Sequence, residues 1–546
     1  MTSCAVTVSS RGRAERMKSR RYVDAAFALL LAAVAVAAYH KVLRLWWMFD
    51  DPYHLGLLSG TRVAALATRA FWHQFATPLF TPLLFASLKL DLALFGATAE
   101  RFYLHQLLAF ALIPPLFYLV LRLWLRTPLA LAAALMAIFG VPVANVVPLL
   151  MLRHYVEGAV FALMSVYLFI HAVRADRRSL AIASAVLLLA AMLCKEVYAP
   201  LIAILVVMPE STWRQRIRLL IPHAAAAALY AFTRIAMVGI GMGSYGWTVE
   251  REKRSGVLAT LPLRAFAQFI GERHGIALIL PVALVVCLVI VGIRFRRAVP
   301  LLLVGLAAAL LPIVPVATHL QPRWSFVLWF LVVAAAAFAP RTMPRAGTAA
   351  FAAAFVATIA INRVEWPRLL REDKRMSDEA RVVTTLGPDD ILRNPSTPAV
   401  TMAQLEAFTH AAGKAYYDDL PLCQGRRVGR LFAYDEASHQ VREMPRATLS
   451  QSCAAVRPGA ALSVRVNFAD DGSMFWTAGP YANGQYTFIL SEGLIAYDVP
   501  RAAGFREPGL DRFNLRVRYV APDGWRTYSP ILPVDVRGKP VVFERR

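Results

Sequence analysis

Long apolar runs without charges recur through the first two thirds of this 546-residue chain. Each run is close to the roughly 20 residues that an α-helix needs to cross the hydrocarbon core of a bilayer. The composition agrees, since 58% of the residues are hydrophobic and only 17% are charged. We therefore predict a polytopic α-helical membrane protein with about 11 transmembrane helices. The predicted spans are 23–45, 102–124, 128–150, 154–173, 179–194, 197–209, 217–239, 276–293, 299–317, 324–340 and 346–362.

Arginine clusters follow every second predicted span, as expected of cytoplasmic loops under the positive-inside rule. The clusters are Arg122/Arg126, Arg174/Arg177/Arg178, Arg214/Arg216/Arg218, Arg294/Arg296/Arg297 and Arg341/Arg345. The basic N-terminus, residues 1–22, falls on the same side. We therefore predict a cytoplasmic N-terminus, an extracytoplasmic C-terminal region and a location in the bacterial cytoplasmic (inner) membrane. Because no basic stripe with interleaved aromatics is present, the net charge of +24 indicates no nucleic-acid partner.

The connection after the first span, residues 46–100, is predicted to be a large outer loop. Within it, Arg62 to Phe75 has apolar residues at helical spacing and predicts an amphipathic helix lying in the membrane interface. The next stretch, "TPLFTPLLFASLKLDLALFG", is apolar but carries Lys89 and Asp91. Counting it as a span would break the alternation of loop charges, so we predict a re-entrant or surface-lying helix.

The composition changes near Asn362. We predict a transmembrane domain over 23–362, a linker with a helical segment over 363–400, and a periplasmic β-rich domain over 401–546. The segments "LSVRVNF", "GQYTFIL" and "FNLRVRYV" alternate apolar and polar residues, which predicts a small β-sandwich. The Pro-Asp-Gly turn in "VAPDGWRTY" predicts a hairpin.

The chain has five cysteines, and none of them shows metal-ligand spacing such as CxxC. Cys423 and Cys453 are the two in the polar C-terminal third. If this region lies outside the cytoplasm, a disulfide between them is expected. The alternative is two unpaired thiols.

Ionisable residues gather at the predicted outer ends of the spans. They are Asp50, Asp51, His54, Glu100, Arg153, His154, Glu157, Lys195, Glu196, Arg234, His319 and Arg323. Charges at membrane depth are costly, so such residues suggest function by default. Each also has a structural explanation. The paired aspartates would end a helix, Lys195–Glu196 would be a neutralised helix break, Arg234 would snorkel to the interface, and the histidines would be satisfied loop residues.

Three stretches carry a resemblance to a known family: "WWMFDDPYHL", "TPLFTPLLFASLKLDLALFGATAERFYLHQLLAF" and "MLCKEVYAPL". In order and placement they resemble motifs of the GT-C superfamily of polytopic membrane glycosyltransferases. The nearest branch is the protein O-mannosyltransferase-like one with transmembrane and tetratricopeptide parts. The resemblance covers roughly residues 20 to 340. Tetratricopeptide repeats are absent, and the β-rich region stands in their place.

The resemblance implies an inverting transfer of sugar from a polyprenyl-phosphate donor to a glycan, lipid or protein acceptor at the outer membrane face. An Asp after the first span would be the general base. The resulting site assignment is catalytic Asp50, Asp51 and His54; donor phosphate-binding Lys195, Glu196, Arg153, Arg234 and Arg323; and accessory polar Glu100, His154, Glu157 and His319. From sequence, the two aspartates are equivalent candidates for the base.

A divalent metal, Mg²⁺ or Mn²⁺, is one cofactor that adjacent carboxylates suit, although Asp50 and Asp51 alone are too few ligands to assert it. Two other classes of function remain open. A cell-surface polysaccharide polymerase or ligase would share the lipid-linked substrate. A non-catalytic transporter or scaffold would need no base, and a transporter predicts mid-membrane ionisable residues and an internal repeat.

Overall fold

The structure is a computed structural model. It describes residues 10–75, 79–239, 259–271, 275–296, 299–425, 427–469, 474–490, 495–505, 512–535, 538 and 540–545. In this part of the chain, the membrane half contains helices α1 (Ser10–Tyr39), α2 (Asp51–Ser59), α3 (Arg69–Trp72), α4 (Pro82–Phe95), α5 (Ala99–Arg122), α6 (Thr127–Ile138), α7 (Val141–Val146), α8 (Arg153–Ala175), α9 (Arg178–Cys194), α10 (Leu201–Val207), α11 (Trp213–Val238), α12 (Leu261–Ala267), α13 (Ile279–Arg294), α14 (Val299–Leu310), α15 (Phe326–Ala336), α16 (Ala339–Thr342) and α17 (Pro344–Val383).

The C-terminal half mixes short helices with strands. Its helices are α18 (Ala399–Thr409), α19 (Leu420–Cys423) and α20 (Arg446–Ala454). Its strands are β1 (Ile391–Arg393), β2 (Lys414–Tyr416), β3 (Leu431–Asp435), β4 (Gln440–Glu443), β5 (Leu462–Phe468), β6 (Met474–Gly479), β7 (Gln485–Leu490), β8 (Ile495–Val499), β9 (Ala502–Phe505), β10 (Arg512–Val520), β11 (Arg526–Tyr528), β12 (Leu532–Asp535) and β13 (Val541–Arg545).

The chain is a multi-pass membrane protein. Among the described residues, 6 helices are long and apolar enough to cross a bilayer, and shorter apolar helices accompany them. Every predicted span coincides with one of these helices or helix pairs. Large apolar side chains such as Leu112 on α5, Val186 on α9 and Phe232 on α11 are exposed on the bundle surface. In water such a surface would be unfavourable, whereas it suits contact with lipid.

Three of the predicted cytoplasmic basic clusters, those of Arg122, Arg174 and Arg341, meet at one end of the bundle. Arg174 donates to the carbonyl of Leu123 at 3.2 Å, and Arg341 donates to the carbonyl of Trp124 at 2.9 Å. Arg122 pairs with Asp24 at the start of the first span, with 2.9 Å between Nε and Oδ1. These loops therefore share one side of the bundle, as the charge alternation predicts.

The prediction of one amphipathic helix over Arg62 to Phe75 is wrong. The structure forms a 3-10 turn at Val63–Ala67 and then the short α3, separated by Thr68 in an extended conformation. The indole of Trp72 donates to the carbonyl of Leu66 at 2.9 Å and packs against Phe80 and Phe85. The aromatic residues thus fold inward to cover α4 and do not form one lipid-facing stripe. The following stretch is helical as predicted, and it forms α4.

Helix α17 joins the two halves without a break. Its 40 residues include both the last predicted span and part of the segment over 363–400, which was predicted to be a linker with a helical segment. A mixed sheet then follows in the order β2-β1-β3-β4, with β1 parallel to both of its neighbours. Because β1 begins at Ile391 and belongs to this sheet, strand structure starts before residue 401. Leu392, Met402, Leu405 and Ala415 are buried in the same apolar core as the membrane helices.

The end of the chain is a β-sandwich, as predicted. One sheet has the order β11-β10-β7-β8 with β12 also paired to β10, and the other has the order β13-β5-β6-β9. Their facing residues, among them Val464, Trp476, Phe488 and Val517, share one buried core. The predicted hairpin is confirmed, since β10 and β11 pair antiparallel around Gly524, whose φ of 90° suits glycine.

Two buried aspartates join the sandwich to the mixed sheet. Asp418 accepts from Arg518 of β10 at 2.8 Å, and Asp419 accepts from Arg393 of β1 through both carboxylate oxygens at 2.6 Å. Asp419 also accepts from Arg526 of β11 at 3.2 Å. The neighbouring Cys423 and Cys453 form a disulfide with 5.4 Å between their Cα atoms.

Gly158 on α8 gives a test of the bundle packing. An added Cβ there would lie 2.2 Å from the ring of Tyr198, whose hydroxyl donates to the carbonyl of Tyr155. We expect Gly158→Ala to lower the free energy of unfolding by about 1–3 kcal/mol, because the ring must move. Gly60→Ala, with no atom within 4 Å of the new Cβ, is the control. The measurement is thermal unfolding in detergent. Equal melting temperatures of the two variants would contradict this packing.

Candidate active site

Asp51 begins helix α2 immediately after a tight turn. Phe49 adopts φ of 50°, a left-handed conformation that is uncommon for a bulky residue, and Pro52 at the helix start suits the first turn. The turn directs the two aspartates differently. Asp50 is exposed, whereas Asp51 is 4% exposed. The structure therefore distinguishes two carboxylates that the sequence left equivalent.

The Asp51 carboxylate lies in an environment that favours its protonated form. Oδ2 accepts the backbone N–H of Met48 at 3.1 Å. Burial raises the pKa of Asp51 to about 7, although the backbone N–H groups of Met48 and Met151 and the charge of Arg153 oppose the rise. A carboxyl group with a pKa near neutrality is suited to accept and release protons at physiological pH.

His54 follows Asp51 by one helical turn and is also buried, at 7% exposure. Its ring packs edge-on against Phe85 with 5.1 Å between centroids. Within the described residues its Nδ1 has no hydrogen-bond partner. Burial lowers the pKa of His54 to about 4, so the ring is neutral at pH 7. A neutral imidazole with an unused nitrogen is available to bind an acceptor.

Cationic groups gather on the α8 side of Asp51. Lys195, in the extended residue that ends α9, pairs with Glu196 at 3.2 Å and is 13% exposed. Both Lys195 and Arg323 act electrostatically on His154 in the first turn of α8, as does His54. One region is therefore surrounded by five of the predicted residues, namely Asp51, His54, His154, Lys195 and Arg323.

Arg234 extends this region along α11. It interacts with Tyr230 one turn earlier, and that tyrosine is also within electrostatic range of Glu196. The Lys195–Glu196 turn thus lies between the α8 group and Arg234. Predicted phosphate-binding residues from three separate connections converge on one end of the bundle.

Arg153 has a different environment from the one predicted. Its side chain has no exposed surface, and Nη1 pairs with Asp91 of α4 at 2.5 Å. Nη2 donates to the carbonyl of Phe102 at 2.8 Å. Because its terminal nitrogens already bind protein groups in the interior, we assign Arg153 to the structure and not to a donor phosphate.

Asp91 and His105 are site-forming residues that the sequence prediction missed. His105 Nδ1 lies 2.8 Å from Asp91 Oδ1, and its Nε2 lies 3.9 Å from Glu157. Ser87 donates to Glu157 at 2.5 Å. The signal was present, since a lone Asp inside the apolar stretch before Gly96 requires a buried cationic partner.

Glu100 and His319 complete the predicted set. Glu100 is exposed in the first turn of α5. The backbone of His319 lies in a 3-10 segment, Leu311–His319, but its side chain lies outside the described part of the structure.

The side chains near Asp50 and Asp51 do not fit a divalent metal site. Throughout the described ranges, no group of 3 or more His, Cys, Asp or Glu side chains is arranged to hold a metal ion. The Asp51 oxygen Oδ2 already accepts a backbone hydrogen bond, and Asp50 is exposed to solvent. We therefore derive no step through a metal.

No protein-family model matches the chain, and no curated protein matches it. Solved structures with a similar fold include ArnT from Cupriavidus metallidurans bound to undecaprenyl phosphate, at 14% identity, covering 78% of this chain and 94% of that one, with a TM-score of 0.40. The apo state of the same protein gives 13% identity, coverage of 78% and 95%, and a TM-score of 0.44.

An oligosaccharyltransferase from Archaeoglobus fulgidus, tethered to an acceptor peptide, gives 12% identity, coverage of 88% of this chain and 76% of that one, and a TM-score of 0.42. At these identities and TM-scores we draw no functional conclusion from the likeness, and the O-mannosyltransferase branch stays a prediction.

The raised pKa of Asp51 predicts a pH-dependent stability. In the unfolded chain an Asp ionises near pH 4, whereas in the folded protein Asp51 ionises near pH 7. Ionisation of Asp51 therefore leaves the free energy of unfolding unchanged below about pH 4. It lowers this free energy progressively as the pH rises toward 7, and by the full amount above that. We expect Asp51→Asn to be more stable than the wild type at about pH 8, by on the order of 4 kcal/mol, and equal to it at about pH 4.

Chemical unfolding in detergent at both pH values tests this expectation. Asp50→Asn, at the exposed neighbouring carboxylate, is the matched control. An Asp51→Asn variant whose stability difference from the wild type did not change with pH would contradict the buried environment described for this carboxyl group.

Proposed function

We propose that the protein is a membrane glycosyltransferase that transfers a sugar from a polyprenyl-phosphate-linked donor to an acceptor hydroxyl, with inversion at the anomeric carbon. One observation carries the proposal. A buried carboxyl group with a pKa near 7, Asp51, lies beside a region lined by Lys195 and Arg323. The chemistry of such a transfer needs this combination of one base with several cations.

In the proposed step, Asp51 accepts the proton of the acceptor hydroxyl while the hydroxyl oxygen attacks the anomeric carbon. The bond between that carbon and the phosphate oxygen breaks, and the polyprenyl phosphate leaves with the bonding electrons. General-base assistance of this kind is typically worth about 10²–10⁴-fold in rate. His54, neutral and beside Asp51, is positioned to hydrogen-bond the acceptor.

The leaving phosphate gains charge as the bond breaks and must be stabilised by fixed cations. Lys195 is our first candidate, because it is largely buried and Glu196 at 3.2 Å holds its ammonium in place. Arg323 and Arg234 are further candidates, since guanidinium groups bind phosphate in bidentate fashion. We do not include Arg153, because its guanidinium already pairs with Asp91 in the interior.

The proposed setting is the outer face of a bacterial cytoplasmic membrane. Arg122 pairs with Asp24 near the start of α1, whereas Asp51 follows the other end of this helix. We use the positive-inside rule to assign the arginine-rich end to the cytoplasm. The disulfide between Cys423 and Cys453 is compatible with an oxidising compartment for the C-terminal half. We propose a polyprenyl phosphate as the lipid carrier of the donor, as the resemblance of the sequence motifs implies.

The first test is consumption of a panel of radiolabelled polyprenyl-phosphate sugars by the purified protein. We expect the wild type to consume at least one donor, and Asp51→Asn to be slower by about 10²–10⁴-fold. Asp50→Asn removes the same charge at the exposed neighbour and should retain most of the activity.

Failure of the wild type to consume any donor would contradict the proposal and favour a transporter or scaffold. A product that grows by repeated sugar addition would instead indicate a polysaccharide polymerase.

In active enzyme, kcat/KM should fall at low pH with an apparent pKa near 7, because protonated Asp51 cannot act as a base. This fall should be absent in Asp51→Asn.

The second test concerns the phosphate. Removing a charged hydrogen-bond donor typically costs about 1.5–3 kcal/mol, so Lys195→Ala should weaken donor binding by about 10- to 100-fold. Glu196→Gln keeps the ammonium and should have a smaller effect. Equal donor affinity in Lys195→Ala and wild type, measured with a non-hydrolysable polyprenyl phosphonate sugar, would remove Lys195 from the site.

A further inference from the structure

We infer that Phe408, which belongs to the C-terminal half, is a positioning residue for the active site, acting on Asp51 through Trp47 and helix α2. This inference rests on the proposed function for its meaning in catalysis. The inference also has a structural part, which is that the C-terminal half forms a fixed wall of the site and not a separate accessory domain. This part can be tested without an activity assay.

The contact between Phe408 and the active-site segment is direct. The Phe408 ring packs edge-on against Trp47, with 5.3 Å between centroids. A Cβ placed on Gly56 of α2 would lie 3.7 Å from the Phe408 Cβ, so the two helices α2 and α18 approach closely there. Trp47 precedes Asp51 by four positions and Gly56 follows it by five. Phe408 thus contacts the segment on both sides of the proposed base.

The polar end of α17 also holds the chain just before Asp51. The backbone N–H of Trp46 donates to Ser377 of α17 at 2.5 Å, and the Arg381 guanidinium lies over the Trp46 ring at 5.8 Å. On the membrane side, the hydroxyl of Tyr103 donates to the carbonyl of Trp46 at 2.9 Å. Two residues later, the N–H of Met48 binds the Asp51 carboxylate. The backbone that binds this carboxylate is therefore fixed by α17 on one side and by α5 on the other.

Backbone strain in the same turn supports the inference. Phe49 has φ of 50°, and a bulky residue in this region costs free energy unless its surroundings enforce the conformation. Trp47 is 1% exposed and cannot rotate away while Phe408 covers it. Removal of the Phe408 ring would leave a cavity beside this turn, which would admit water and reduce the burial of Asp51.

The charges that act on Asp51 come from elements other than α18. They are Asp50 on its own segment and Arg153 of α8. The titratable Tyr103 of α5 also lies within electrostatic range of Asp51. Helix α18 has a single ionisable residue, Glu406, which pairs with Lys414 at 2.8 Å. A change at Phe408 therefore alters the burial of Asp51 without changing the charges around it.

The first experiment tests whether the contact exists in the full-length protein in membranes. In Gly56→Cys/Phe408→Cys the two Cβ atoms lie within the range that a disulfide requires. We expect oxidation to link them, measured as loss of labelling by a maleimide reagent after denaturation. Gly60→Cys/Phe408→Cys is the control, because a Cβ at Gly60 has no atom within 4 Å. Equal labelling of both double variants after oxidation would overturn the inference.

The second experiment tests the effect on Asp51. Its ionisation is followed by infrared difference spectroscopy in the carboxyl region, with Asp51→Asn identifying the band. We expect Phe408→Ala to move this titration toward lower pH by about one pH unit, because burial is the main cause of the raised pKa. Phe408→Leu keeps most of the volume and should stay near the wild type. Phe475→Ala, at an exposed ring of the sandwich, is the control for a general loss of stability.

An unchanged titration in Phe408→Ala would overturn the positioning role, since a purely structural residue would lower the yield of folded protein and leave the titration of Asp51 in place. Where turnover is measurable, Phe408→Ala should lower kcat/KM by about 10- to 100-fold through misplacement of the base. A wild type that consumes no donor would overturn the proposed function only, and the crosslink and the titration would still decide the inference.

Discussion

The buried ion pair between Arg153 and Asp91 holds the membrane half in its observed arrangement. It links the first turn of α8 to α4, and the second terminal nitrogen of Arg153 ties α8 to α5. A charge pair with almost no solvent exposure is costly to break, because either partner alone would be a bare charge in an apolar interior. By fixing the start of α8, the pair fixes the Met151 peptide that faces Asp51, and with it His154.

Asp51 differs from Asp50 through position alone. The two residues have the same chemistry and adjacent places in the sequence, yet the left-handed turn at Phe49 and the start of α2 expose one and bury the other. Sequence reasoning located the motif but could not choose between the two, because the choice depends on the direction of a turn. That direction is set by tertiary contacts of Trp46 and Trp47 with residues more than 300 positions away in the chain.

Much of the fold follows from the sequence. The apolar runs predicted the membrane helices, and the alternation in "LSVRVNF" and "FNLRVRYV" predicted strands β5 and β10. What the sequence did not reveal were long-range pairings. The partner of Arg153 is Asp91, 62 positions earlier in the chain. The helical segment predicted within 363–400 continues the last predicted span, a continuity that the polar composition of these residues does not indicate.

The continuous helix α17 has a consequence for how the protein unfolds. At 1.5 Å per residue its 40 residues span about 60 Å, roughly twice the hydrocarbon thickness of a bilayer. Its membrane portion and its polar portion therefore belong to one hydrogen-bonded element. The apolar core around it is also shared, since Met402 and Leu405 of α18 are buried with the membrane helices. The mixed sheet and the bundle should consequently melt as a single cooperative unit, with the β-sandwich, which has its own core, as the part able to open separately.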